Sequence, residues 1–226
     1  MKSNRSDRYF FGALGVWFLV VTMVGFSPTF YLRPPGNSLA SYIVVHGALA
    51  TVWVLFFTLQ AGLISARQRK LHRVLGLLSL PLCLAVVATG TLVAFRAVAW
   101  RADGILGTAL NVATMVALVV LVALGVFDRQ RPDRHKRFMA TALMIFVSPA
   151  VSRWGHNGLI PEAAVFLLVL LPWFAMLAYD FLSRGSFHRV TLISKPAALA
   201  LHLVAGLAAG TAPVEKLIRQ IALSVS

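Results

Sequence analysis

The chain has 226 residues, 59% of them hydrophobic and 12% charged, with mean hydropathy +0.81 and net charge +14. A soluble domain averages about 45–50% apolar and roughly 25% charged residues, and a chain of this size has too little interior to hide the excess. The composition therefore excludes a soluble fold. The placement of the charge, in short loops between apolar runs, argues for an anionic lipid surface as partner and against nucleic acid.

A basic start over residues 1–8 leads into a first apolar run over 9–26. No small-residue cleavage site follows it. The chain continues as Ser27-Pro28-Thr29-Phe30, so this span is expected to be retained, not removed as a signal peptide. Further runs of membrane-spanning length, about 20 residues each, cover 39–64, 74–95, 104–127, 138–154 and 161–182, and a short seventh covers 196–212. Over 214–225, Val214, Leu217, Ile218, Ile221 and Ala222 recur at helical spacing among Glu215, Lys216, Arg219 and Gln220, which predicts an amphipathic surface helix. Backbone groups in hydrocarbon must be satisfied within each span, and no ten-residue alternating strands of a barrel occur. The expected fold is all-α, a polytopic transmembrane bundle of about seven spans forming one membrane domain over 1–226.

The basic residues set the expected orientation. Lys2, Arg5, Arg8, Arg67, Arg69, Lys70, Arg73, Arg129, Arg131, Arg134, Lys136, Arg137, Arg184, Arg189 and Lys195 fall on one side. Arg33, Arg96, Arg101, Arg153, Lys216 and Arg219 fall on the other. The positive-inside rule makes the first side cytoplasmic, as in a multi-pass protein of a bacterial inner membrane with its N-terminus inside.

Several chemistries lack their residues. Asp7, Asp103, Asp128, Asp133, Glu162, Asp180 and Glu215 fall at span ends or in loops, which argues against a proton-coupled transporter with buried acids. No lysine is placed deep in a span, so there is no candidate for a retinal Schiff base. Cys83, the single cysteine, reads as a small core residue, and no CxxCH haem-attachment motif occurs.

Four histidines form a pattern. His46 and His156 fall in the outer layer, at the start of span two and the end of span five. His72 and His135 fall in the inner layer, at the starts of spans three and five. His46, Trp53 and Gln60 are seven residues apart, as are His135, Ala142, Pro149 and His156, so each set stays near one helix face. Such stripes should face the bundle, because unpaired polar groups in hydrocarbon are costly. Two inward imidazoles in one layer suit a b-type haem, part of a copper or zinc site, or a quinone headgroup. A metal would draw on His46 and His156, with Arg153 placed to pair with an anionic propionate and Gln60 in support. His72 and His135, set among basic residues, also suit contact with lipid headgroups. A helix rises about 30 Å over the 21 residues from His135 to His156, so the two layers are separate sites.

The ordered segments Phe26-Ser27-Pro28-Thr29-Phe30-Tyr31-Leu32-Arg33, His46, Trp53, Gln60, Leu71-His72-Arg73-Val74-Leu75-Gly76 and His135-Lys136-Arg137-Phe138-Met139 resemble a family of uncharacterised bacterial multi-pass membrane proteins, over roughly residues 9 to 182. That resemblance implies the polytopic fold and carries no activity. The helix-end histidines also look like those of transmembrane b-type cytochromes, and the His135 segment with His156 looks like cytochrome oxidase assembly factors. The leading expectation is a haem-, metal- or quinone-binding protein in a respiratory or redox setting, with His46 and His156 as ligands, Arg153 and Gln60 in support, and His72 and His135 as further cofactor-binding candidates. The alternatives are an accessory or assembly subunit of a larger membrane complex, and a small-molecule transporter.

Overall fold

The computed structural model describes residues 5–34, 36 and 38–225; Lys2, counted above among the basic residues, lies outside them. All the regular structure among these residues is helical: α1 (Arg5–Phe26), α2 (Ser41–Ser65), α3 (Arg69–Gly76), α4 (Ser79–Ala97), α5 (Gly104–Phe127), α6 (Pro132–Phe146), α7 (Ser148–His156), α8 (Glu162–Arg184), α9 (Arg189–Ala209) and α10 (Ala212–Ser224). A π-helical turn, Ser27–Tyr31, prolongs α1. Seven helical segments are long and apolar enough to cross a membrane, the fifth being α6 and α7 together. The chain is a multi-pass helical membrane protein.

Successive spans run in opposite directions. The start of α1, the end of α2, α3, the start of α6, the end of α8 and the start of α9 therefore share one end of the bundle. Its arginine-rich loops make this the basic end of the bundle. The α6–α7 span is the least apolar of the seven and the most buried. It packs on α5, α9, α1 and α8. Its polar residues can afford that place because they are paired there: Arg137 bonds to Asp180 and Thr141 to Ser194.

Three elements depart from the sequence expectation. The seventh span starts seven residues earlier than expected, at Arg189. The segment Thr191 to Lys195 reads as loop because it is polar, but its polar groups are satisfied inside the bundle. The His188 ring accepts the Val190 N–H at 3.1 Å and caps the helix, Thr191 donates to Asp180 at 2.6 Å, and Ser194 pairs with Thr141 at 3.0 Å. This corrects the placement of Lys195. It lies within a span at 1% exposure, with no hydrogen bond or ion pair among the described residues.

Span three is divided. A short basic helix, α3, carries His72 and precedes the membrane helix α4. Span five is broken at Val147. Pro149 has no N–H to give to the Ile145 carbonyl, so the ladder restarts at Ser148. The heptad face from His135 to His156 is not uniformly buried: His135 and Ala142 are turned inward, while Pro149 is exposed and the His156 side chain is 72% exposed.

Glycine sets the closest helix contacts. A methyl on Gly25 would collide with the Ala150 carbonyl, so α1 and α7 touch backbone to backbone there. Gly206, in the sequence GxxxG with Gly210, faces only the side chains of Leu106 and Leu110. The tail helix α10 buries Ile218 against Ala109 and Ala209, and Arg96 donates to the Val225 carbonyl at 2.7 Å.

Candidate functional site

The polar stripe of α2 does face the bundle. Trp53 is 2% exposed, Gln60 is buried and His46 is half-buried. His46 Nδ1 lies 3.1 Å from Thr89 Oγ1, and that hydroxyl already donates to the Ala85 carbonyl at 2.8 Å. His46 must therefore donate from Nδ1, which leaves Nε2 without a proton. The ring sits over Gly90, where a side chain would meet His46 and Met115 at 3.0 Å each.

The outer histidines are not brought together. His156 bonds through Nδ1 to the Ser152 carbonyl at 2.8 Å and lies 3.7 Å from Glu162. No hydrogen bond or ring contact among the described residues joins it to His46. Arg153 lies with its guanidinium 4.5 Å from the Phe26 ring centre, on the same side as His156.

The inner histidines do meet. The rings of His72, on α3, and His135, on α6, stand edge to face with centroids 6.2 Å apart. His135 donates from Nδ1 to the Gly125 carbonyl at 2.8 Å, so its Nε2 is an acceptor. Gln60 fixes the other ring. With its amide turned so that Oε1 accepts from Gly76 N–H at 3.1 Å, its Nε2 donates to the His72 carbonyl at 3.1 Å and to His72 Nδ1 at 2.5 Å. The Gln60 backbone carbonyl lies farther from that nitrogen, at 3.3 Å, and competes poorly. His72 thus carries its proton on Nε2. Burial, and then the charge that His135 would carry beside it, push the His72 imidazole below the ordinary histidine range. The pair presents one N–H donor and one nitrogen acceptor.

Beside this pair lies a second polar cluster that the sequence reading missed. Arg137 and Asp180 are each 1% exposed and form an ion pair. Arg137 also donates to the Asp133 carbonyl at 2.6 Å, and Asp180 accepts from Thr191 at 2.6 Å and from His188 N–H at 3.2 Å. Asp7 accepts from Lys136 and, at 2.5 Å, from Tyr179. These contacts tie α1, α6, α8 and α9 together at the basic end. The available signal is Asp180, a carboxylate in the last turns of span six, which by sequence alone reads as a residue at a span end. His188, as the cap of α9, and His202, 2.9 Å from Thr114 on α5, hold helices in place.

Among the described residues, no three His, Cys, Asp or Glu side chains form a group that could hold a metal ion. Among the described residues, two buried polar atoms have no hydrogen-bond partner, Trp53 Nε1 and Asn111 Oδ1. Comparison with family models, with curated proteins and with solved structures finds no match.

Proposed function

We propose that the protein binds a quinone-type headgroup between His72 and His135, in a redox setting of the membrane. The observation that carries this reading is the close pairing of two histidine rings whose hydrogen-bond partners at Nδ1 assign them opposite tautomers. A quinol hydroxyl accepts from His72 Nε2–H and donates to His135 Nε2, and each ring is held in that tautomer by a partner at its other nitrogen. Leu71, Val74, Leu77 and Leu78, all exposed next to His72 on α3 and its junction with α4, offer an apolar path for an isoprenoid tail at the lipid boundary. The excess of basic residues at this end supports a cytoplasmic placement, with the N-terminus inside a bacterial inner membrane.

Haem b is the second reading. Two imidazoles on one iron atom, at metal–nitrogen distances near 2.0 Å, put ring centroids about 6 Å apart, close to the separation of this pair. It requires His72 to give up its Nε2 proton and Gln60 to turn. A metal or haem shared by His46 and His156 draws no support from their separate surroundings.

Binding of a short-chain quinol to the purified protein, followed by tryptophan quenching, tests the proposal. Loss of one hydrogen bond should weaken binding roughly three- to tenfold in His72→Ala and in His135→Ala, and His156→Ala should leave it unchanged. A Soret band in the purified protein that disappears in His135→Ala would replace quinol by haem. A colourless protein with no quinol binding would leave the accessory-subunit reading, and co-purifying partners would then be sought.

A further inference from the structure

A groove of about 820 Å³ runs between α5 and α9 at the basic end, beside the junction of α8 and α9. This volume lies within the range of about 300–1,000 Å³ typical of small-molecule sites. Small residues, Ala117 on α5 and Ala197 and Ala198 on α9, line it and leave its space unfilled. Leu121, Leu124 and Leu201 wall it. From Leu124 to Ala117 the trough descends about 10 Å at the helical rise of 1.5 Å per residue, which takes it into the hydrocarbon layer.

The mouth is cationic. Arg134, Arg184, Arg189 and His188 line it. The nearby acids are already engaged: Asp128 pairs with Arg134 at 2.9 Å and with Arg131, and Asp133 faces His188 at 3.3 Å. The Arg184 and Arg189 guanidinium groups have no hydrogen bond or ion pair among the described residues. Both are exposed. Two free guanidinium groups above an apolar trough match one ligand shape, a phosphate carrying a hydrocarbon chain. Basic pockets between membrane helices bind anionic lipid headgroups by this means.

We propose that the α5–α9 groove is a specific site for an anionic phospholipid, its phosphate held by Arg184 and Arg189 and one acyl chain laid along Ala117 and Ala197. The site is separate from the His72–His135 pair and does not depend on what that pair binds.

The test uses the full chain in neutral detergent. Affinities are measured from the shift of the thermal midpoint on titration with phosphatidylglycerol, phosphatidylcholine or inorganic phosphate. Phosphatidylglycerol should bind tightest and inorganic phosphate should give no shift. Arg184→Gln/Arg189→Gln should weaken phosphatidylglycerol about thirtyfold, as expected for two basic residues near the surface. Arg69→Gln/Arg73→Gln, at the same end on α3, should not change it. Ala197→Phe fills the trough from an exposed position and should weaken the lipid with both arginines intact. Equal affinity for phosphatidylcholine, an equal shift with phosphate alone, or an unchanged affinity in Ala197→Phe would each overturn the proposal.

Discussion

Replacing Asp180 by asparagine keeps the shape of the side chain and removes its charge. In the native bundle both carboxylate oxygens receive donors, from Arg137, Thr191 and the His188 backbone. An asparagine amide accepts at one atom only and turns its own N–H groups toward a donor. Arg137, 1% exposed, is then left as a buried charge without its counter-ion. Removing one partner of a buried pair costs about 3–5 kcal/mol. A chain of 150–250 residues loses roughly 2–4 °C of midpoint per kcal/mol, so the expected drop is about 6–20 °C. Cys83 supplies the assay, because it is the single cysteine and is buried. A thiol-reactive dye that fluoresces on coupling reports unfolding without further labelling. The double variant Arg137→Met/Asp180→Leu should recover most of the loss, since well-packed apolar residues can replace a buried ion pair. A drop below about 3 °C in Asp180→Asn, the size expected of a surface pair, would refute the reasoning.

Three further outcomes are expected. Gly25→Ala should cost about 1–3 kcal/mol by overpacking, because its methyl meets the Ala150 backbone, which cannot turn aside; an unchanged midpoint would show that α1 and α7 separate freely. For Asp7, burial works to raise its pKa, but the hydrogen bonds from Lys136 and Tyr179 outweigh it and hold the carboxyl below the ordinary carboxylate range. Its contribution to stability is therefore present above about pH 4 and lost as the pH falls through the lowered value, so the midpoint gap between wild type and Asp7→Asn should close on acidification; a gap that does not vary with pH would contradict this. Lys195→Met should raise the midpoint by about 2–4 °C, by removing a buried ammonium without a counter-ion, whereas a fall would show that the ammonium is needed where it lies.

Apolar run length made the seven spans legible, and helical phase correctly turned His46, Trp53 and Gln60 into the bundle. What the sequence hid were polar residues that are satisfied only by distant partners. Arg137 and Asp180 are 43 residues apart, and each alone looks like a residue at the membrane surface. Thr191, Ser194 and Lys195 lower local hydropathy enough to mimic a loop, and the bonds of Thr191 to α8 and of Ser194 to α6 show that the helix has begun. Spacing placed two histidines in each layer, but which layer forms a pair depends on helix rotation. His156 ends the span and is exposed there, while the α2–α3 corner brings His72 onto His135.

The Arg137–Asp180 pair also bears on how the chain is made. Synthesis runs from the N-terminus, so α6 emerges with Arg134, Lys136 and Arg137 at its head before α8 and α9 exist. Asp7, on α1, is already present to meet Lys136, but Arg137 has no counter-ion until Asp180 follows 43 residues later. The fifth span is therefore poorly suited to release into lipid by itself. It is best kept at the insertion machinery until the hairpin of α8 and α9 arrives, and a chain cut short before Asp180 would present an uncompensated cation to quality control.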